Sequence, residues 1–141
     1  MIKPCLLAAY VCCDNGDELE FDEFMPDDPD MFHVRVRLWI GSNPDGRSGD
    51  DFHVTITTPS YLDSQMLATG NEIIMVKPYI LVRHFEHALI LQNIREALDE
   101  IEETSWVRVA VILHQMASWE FFYAIFQDGN MDRNFAEREP K

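Results

Sequence analysis

Histidine and carboxylate residues are the first candidates for chemistry, because zinc in proteins is held by imidazole, thiolate and carboxylate groups. His33 and His53 fall on the outward faces of two successive predicted strands and could be cross-strand neighbours, with Asp51 close by. His84 and His87 lie three residues apart, but a predicted strand ends at the first and a predicted helix begins at the second. No His-Glu-x-x-His motif occurs. We predict no metal ligand, with a small metal-dependent enzyme built on His33 and His53 as an alternative.

A run of carboxylates in residues 15–30, called here the acidic segment, is the second candidate. It lacks the alternating ligands, central glycine and final Glu of an EF-hand loop, so specific calcium binding is not indicated. Leu19, Phe21, Phe24 and Met25 interleave with the acids, and they could anchor a partner or pin the segment to its own core. A solvated charge run without a role is the plain alternative. The predicted partner-binding residues are Asp17, Glu18, Glu20, Asp22, Glu23, Asp27, Asp28 and Asp30, together with Trp39 on an outward strand face.

Nucleophile motifs are missing from the sequence. There is no Gly-x-Ser-x-Gly, no phosphate-binding glycine loop and no dinucleotide fingerprint. Cys5, Cys12 and Cys13 have the spacing of neither a disulfide framework nor a zinc site, and a buried thiol is unreactive. We therefore predict reduced thiols packed in a strand, no catalytic residue, no cofactor and no enzymatic activity.

The charge balance limits the partners. The chain of 141 residues carries 25 acidic and 11 basic side chains, a formal net charge of −14. Such a field repels phosphate backbones and anionic membranes, so nucleic acid and membrane partners are not expected. A basic protein surface would be attracted, although acidity also serves plain solubility. With no targeting or membrane-spanning segment evident, we predict a cytoplasmic protein.

Alternation of apolar and polar residues predicts the strands. Residues 3–14 suggest a first strand, and the prolines of the acidic segment favour an irregular loop there. Residues 31–41 and 51–58 alternate with a period of two and are separated by a Gly/Pro/Asn/Asp turn, which predicts an antiparallel hairpin. Trp39 then lies on the polar face of its strand, either covered by a helix or exposed as an anchor.

The second half reads as mostly helical. Thr58-Pro59 predicts a helix start, with a short helix over residues 60–68 that stops at Gly70. Residues 73–83 are apolar, and Pro78 restricts them to an edge strand or to two pieces. Two longer helices are predicted over residues 86–103 and 105–117, followed by a buried strand over 119–126.

These elements predict a single α+β domain over residues 1–127. It would have an antiparallel sheet of about five strands, with two longer helices and one short helix packed on one face. Residues 128–141 are polar and are expected to form a frayed tail.

The order of the motifs resembles the immunity protein 8 family of bacterial polymorphic toxin systems, from about residue 4 to residue 123. The motifs are Pro-Asp-Asp-Pro-Asp (26–30), the alternating run 32–41, the run 52–62 with its Thr-Pro, Ile-Leu-Val-Arg (80–83), Trp106 and Trp-Glu-Phe (119–121). Phe122 and Tyr123 follow the last motif where the family usually has acids, so no role is carried over to that end.

The resemblance implies a cytoplasmic immunity protein that binds and neutralises a cognate toxin domain, and it implies no catalytic residues. Together with the charge, it leads us to expect inhibition by occlusion of the toxin's active or substrate-binding surface. That surface is expected to be basic, and the toxin could be a nuclease. An acidic adaptor or subunit unrelated to toxins is the alternative.

Overall fold

The computed structural model of the protein describes residues 1–43, 47–74 and 79–127. The strands are β1 (Cys5–Cys12), β2 (Glu18–Glu20), β3 (His33–Gly41), β4 (Asp50–Thr57), β5 (Tyr79–Leu81) and β6 (Ser118–Trp119). The helices are α1 (Pro59–Thr69), α2 (His87–Asp99), α3 (Trp106–Leu113) and α4 (Phe122–Gln127). The strands form one sheet in the order β2-β1-β3-β4-β5, with β6 also paired to β4. The predicted α+β class is confirmed.

The β3–β4 hairpin is the centre of the sheet, and its residues follow the predicted alternation. Val36 pairs with Val54 and Leu38 with Phe52. These four side chains are buried, because a period of two places them all on the face toward the helices. Part of the connecting turn, residues 44–46, lies outside the described residues.

β1 pairs antiparallel to β3, with an irregularity in register between Leu6 and Ala8 that makes Leu7 an extra residue. The prediction that the acidic segment is wholly irregular is wrong. Asn15 and Gly16, the latter at φ 90, reverse the chain, so that Glu18–Glu20 returns along β1 as β2. A single 3₁₀ turn, Phe21–Glu23, follows. The prolines act only on the second half of the segment, which does remain irregular.

β4 is paired along most of its other edge. β5 runs parallel to residues 55–57 of β4, and β6 runs antiparallel to residues 52–53. The predicted strand over residues 119–126 is therefore wrong beyond its first residue. The register that pairs Trp119 with Phe52 runs toward Asp50, the first residue of β4, so it leaves at most two further positions to pair, and the chain then continues into α4. Pro78 and residues 128–141 lie outside the described residues.

The helix signals read from the sequence hold. Thr58 caps α1 by accepting a hydrogen bond from the Tyr61 N–H, and Gly70 ends the helix at φ 74. Ser105 caps α3 in the same way. α2 buries Ile90, Ile94 and Leu98, and α3 buries five residues, so these two helices form the core with the sheet. α1 buries no residue, and its Tyr61 stacks on His33 on the opposite face of β3.

One carboxylate joins three of these elements. Oδ2 of Asp50, at the start of β4, accepts a hydrogen bond from Nε1 of Trp106 at 2.8 Å and from Nε1 of Trp119 at 2.9 Å. Both indoles are buried, so neither N–H has a ready substitute acceptor in water. Asp50 thereby attaches α3 and β6 to the sheet.

We expect Asp50→Ala to lower the free energy of unfolding by about 2–5 kcal/mol, because each buried donor left without an acceptor costs about 1–3 kcal/mol. Asp50→Asn keeps a carbonyl acceptor and should lose less. Urea unfolding monitored by circular dichroism measures the difference, with Asp63→Ala on exposed α1 as the control. A loss for Asp50→Ala no larger than the control would contradict the assignment.

Candidate partner-binding surface

The structure divides the predicted acidic residues into two groups. Some carboxylates bind other parts of the same chain, and the others stand free in solvent. All eight of the predicted acids are exposed, so exposure alone does not separate the groups. Their hydrogen-bond partners do.

Glu18 is held inside the protein's own ion-pair network. Its carboxylate accepts from Nε of Arg37 at 2.7 Å and from Nη2 at 2.9 Å, a bidentate pair. The remaining Arg37 nitrogen, Nη1, donates to Asp51 at 2.8 Å, and the guanidinium lies 4.4 Å from the centre of the Tyr10 ring. The hydrogen bonds from Arg37 lower the pKa of Glu18, and the same bonds raise the pKa of Arg37. Glu18 therefore links β2 to β3 and is not a free contact residue.

The aromatic residues of the acidic segment pin it to the core. Phe21 is buried, and its ring centre lies 5.6 Å from that of Phe85. Phe24 is half-buried and meets Phe85 edge-on. Leu19 and Met25 remain exposed, Met25 by 58%. Of the two interpretations left open by the sequence, the core-anchoring one holds for the two phenylalanines only.

The end of the segment is attached to the residues that precede α2. Pro29 accepts a hydrogen bond from the Phe85 N–H at 2.8 Å. His84 pairs with the Asp30 carboxylate through Nδ1, and His87 contacts the Phe24 carbonyl through Nε2. Asp30 is thus a structural partner. The hydrogen bond that His84 donates to the Asp30 carboxylate, and then the charge of that carboxylate, raise the pKa of His84.

The remaining acids are candidates for external contacts. Asp17 accepts from Asn15 within the turn, and Asp28 accepts from the Asp30 backbone N–H, so both are partly engaged. Within residues 1–43, 47–74 and 79–127, no side-chain hydrogen bond or ion pair is found for four others. These free acids are Glu20, Asp22, Glu23 and Asp27.

Trp39 is half-buried on the outward side of β3, so it is not a fully exposed anchor, which was one of the two possibilities that the sequence left open. Its ring lies against Gly49, where an added Cβ would sit 2.3 Å from Nε1. That Nε1 is buried and finds no hydrogen-bond partner among the described residues. The backbone just before β4 therefore covers the indole.

The cross-strand histidine pair that the sequence left possible is not formed. His33 pairs with Thr57 and His53 with Arg37, which places the two imidazoles four residues apart along the hairpin. Burial, together with the neighbouring Arg35, lowers the pKa of His53. Among the residues that the structure describes, no cluster of three or more His, Cys, Asp or Glu could hold a metal. The zinc alternative loses the geometry on which it depended.

The three cysteines are unpaired thiols that lie in or beside β1. Sγ of Cys12 is 3.8 Å from the Glu18 carboxylate. Burial, and then the charge of Glu18, raise the pKa of Cys12, which disfavours the reactive thiolate. Helices able to cross a membrane are also not found in the described part of the chain.

Because His84 has a raised pKa in the folded protein, its pairing with Asp30 stabilises the fold below the ordinary histidine pKa of about 6.5. That contribution should be lost as the pH rises through the raised pKa. Titration of the His84 ring protons by NMR is expected to give a pKa above 6.5 in the parent protein and a lower one in Asp30→Asn. Equal pKa values in the two proteins would contradict the pairing.

Comparison with protein-family models identifies a family for the chain. A family model described as immunity protein 8 matches residues 10–123. No curated protein and no solved structure matches the chain. The family supports an immunity-protein role and implies a toxin as partner. By the extent of the match, the chain belongs to the immunity protein 8 family.

Proposed function

We propose that this protein neutralises a cognate toxin domain by binding it and covering its active or substrate-binding surface. The observation that carries the proposal is a set of four free acids on a segment that the protein itself holds in place. Glu20, Asp22, Glu23 and Asp27 point into solvent, whereas Phe21 and Pro29 attach the same segment to the fold. On this proposal the protein acts by binding and performs no catalysis.

The attachment matters for affinity. A contact loop that is ordered before binding loses less conformational entropy when the complex forms. The aromatic packing at Phe21 and the hydrogen bond between Phe85 and Pro29 supply that order on both sides of Asp22 and Asp27. Exposed Met25 lies in the sequence between Glu23 and Asp27 and offers an apolar contact among these charges. Charge would then steer the encounter, and Met25 would add buried apolar area.

The charge favours a basic toxin surface. With a formal net charge of −14, the protein attracts a cationic partner at long range. Toxins that act on nucleic acids need basic clefts to hold phosphates, so a nuclease is the toxin class that this surface suits best. A standard interface would bury about 800 Å² on each partner. A toxin with a strongly acidic active domain would contradict the proposal.

The contact residues that we propose are fewer than those predicted from the sequence. Glu18 and Asp30 have internal partners, so they are proposed to position the segment. The free acids and Asp28 are proposed to face the toxin. Trp39 lies on the outward face of β3, and a contact through it would require a wider interface.

The test is co-expression with the C-terminal domain of the protein encoded immediately upstream. One variant carries Glu20→Gln, Asp22→Asn, Glu23→Gln and Asp27→Asn. The matched control carries Glu96→Gln, Asp99→Asn, Glu100→Gln and Glu102→Gln, all exposed and all in or just after α2. Each set removes four of the negative charges, so a difference between them reports position and not net charge.

We expect the parent protein and the control variant to rescue growth. The acidic-segment variant should bind the toxin domain at least tenfold more weakly than the control variant, a loss of about 1.4 kcal/mol or more in binding free energy. Isothermal titration measures the affinities. Equal affinities for the two variants would show that the toxin does not contact the free acids. No toxicity and no complex would overturn the toxin partner itself.

Salt dependence gives an independent measurement on the parent protein. The Debye length falls from about 30 Å at 0.01 M salt to about 3 Å at 1 M. The association rate should therefore drop steeply with salt if charge steers the encounter. Rescue with a salt-insensitive association rate would keep the immunity role and point to an apolar interface instead.

A further inference from the structure

A groove lies at the edge of the sheet, close to the point where β2 ends. β2 pairs with residues 10–12 of β1. The same register places Phe21 opposite Ala9, and a 3₁₀ turn begins there. The groove is lined by residues 6–10 of β1, by residues 20–22, and by Leu91 and Arg95 of α2. It therefore lies between β1, α2 and the acidic segment.

Two of the four free acids line this groove. They are Glu20 and Asp22, called here the groove acids, and the third charged residue that lines it is Arg95. Within the described ranges, Arg95 forms no ion pair with either groove acid. Two carboxylates and one guanidinium leave one negative charge over. A single monovalent cation would balance the groove.

The size and lining of the groove suit one long side chain. Its volume is about 220 Å³, below the roughly 300–1,000 Å³ of sites that hold small molecules. Long basic side chains pack their methylene groups on apolar surface and keep the charged end among polar groups. Leu6, Leu7 and Leu91 supply the apolar surface, and the groove acids supply the charge.

The backbone of the groove acids is fixed by the residue between them. Phe21 is buried, and its ring packs against the rings of Phe85 and His87. Glu20 is also paired with Tyr10 in the β1–β2 ladder. A site whose backbone is fixed before binding loses less conformational entropy when the complex forms. The two carboxylates are thus presented together before any partner arrives.

We propose that the toxin domain inserts one basic side chain, an arginine or a lysine, into this groove and places its charged end at Glu20 and Asp22. This inference rests on the proposed function for the identity of the partner. Side chains that enter pockets and lose water dominate the affinity of an interface, whereas exposed charge pairs at its rim contribute little. The groove acids would therefore carry most of the affinity, and Glu23 and Asp27 would mainly steer the encounter.

The first test divides the free acids into two pairs. One variant carries Glu20→Gln and Asp22→Asn, and its control carries Glu23→Gln and Asp27→Asn, so each removes two charges from the same segment. Isothermal titration with the upstream-encoded toxin domain measures both affinities. We expect the groove pair to weaken binding by about tenfold or more and the control pair by less than about threefold. Equal losses for the two pairs would overturn the proposal.

The second test fills the groove and keeps every charge. Leu91→Trp enlarges a side chain that lines the groove, and the control Leu89→Trp makes the same change on α2 at a residue that is 51% exposed. We expect Leu91→Trp to weaken binding by about tenfold or more and Leu89→Trp by less than about threefold. Two folded variants of equal affinity would contradict the inserted side chain. If circular dichroism shows that Leu91→Trp does not fold, the acid pairs still decide, because those substitutions preserve side-chain size at exposed positions.

A double-mutant cycle identifies the inserted side chain. Each arginine and lysine of the toxin domain is changed to alanine and tested against the parent protein and against the variant with Glu20→Gln and Asp22→Asn. One basic residue should contribute about tenfold or more to the affinity for the parent and almost nothing to the affinity for the variant. If the toxin domain binds and no residue is coupled in this way, this inference fails while the proposed function stands. If no toxin complex forms, both fail.

Discussion

The Asp50 carboxylate is the interaction on which the second half of the fold depends. A single oxygen accepts from two buried indoles, one at the start of α3 and one in β6. The charge is tolerable there because strong donors surround it, and the indoles are tolerable because their N–H groups are bonded. Asp50, one acidic side chain near the β3–β4 turn, thus attaches two C-terminal elements to the sheet.

The acidic residues of this protein have two roles, and composition alone does not show which residue has which role. Glu18, Asp30, Asp50 and Asp51 bind partners within the chain and hold strands, helices and the acidic segment together. The free acids have no such partner within the described part of the chain and supply the field that a cationic surface would meet. Within this strongly negative chain, Arg37 pairs with Glu18 and Asp51, and two neutral indole N–H groups donate to Asp50. Four of the acids that are left over, the free acids, lie on the acidic segment, which contains the edge strand β2.

Local rules predicted the parts of the fold that depend on neighbouring residues. The β3–β4 hairpin follows from strict alternation, and α1 follows from Thr58, Pro59 and Gly70. Contacts between residues that are distant in the sequence could not be predicted from local patterns. Nothing near Glu18 reveals that Arg37, 19 positions away, would take it out of the contact surface. The aromatic run after Ser118 has strand-like composition, but its register on β4 reaches the first residue of that strand within two residues of Trp119, and this register cannot be read from the sequence.

The packing of Trp39 on Gly49 couples the evolution of these two positions. Any side chain at position 49 would meet the indole first, with its closest ring atoms 2.3 and 2.6 Å from the added Cβ. A mutation at 49 therefore requires a smaller residue at 39, and it also requires the chain to shift from the Ile40 carbonyl oxygen, which lies 2.9 Å from the added Cβ. Among related chains, positions 39 and 49 should change together, and glycine should be kept at 49 wherever tryptophan is kept at 39.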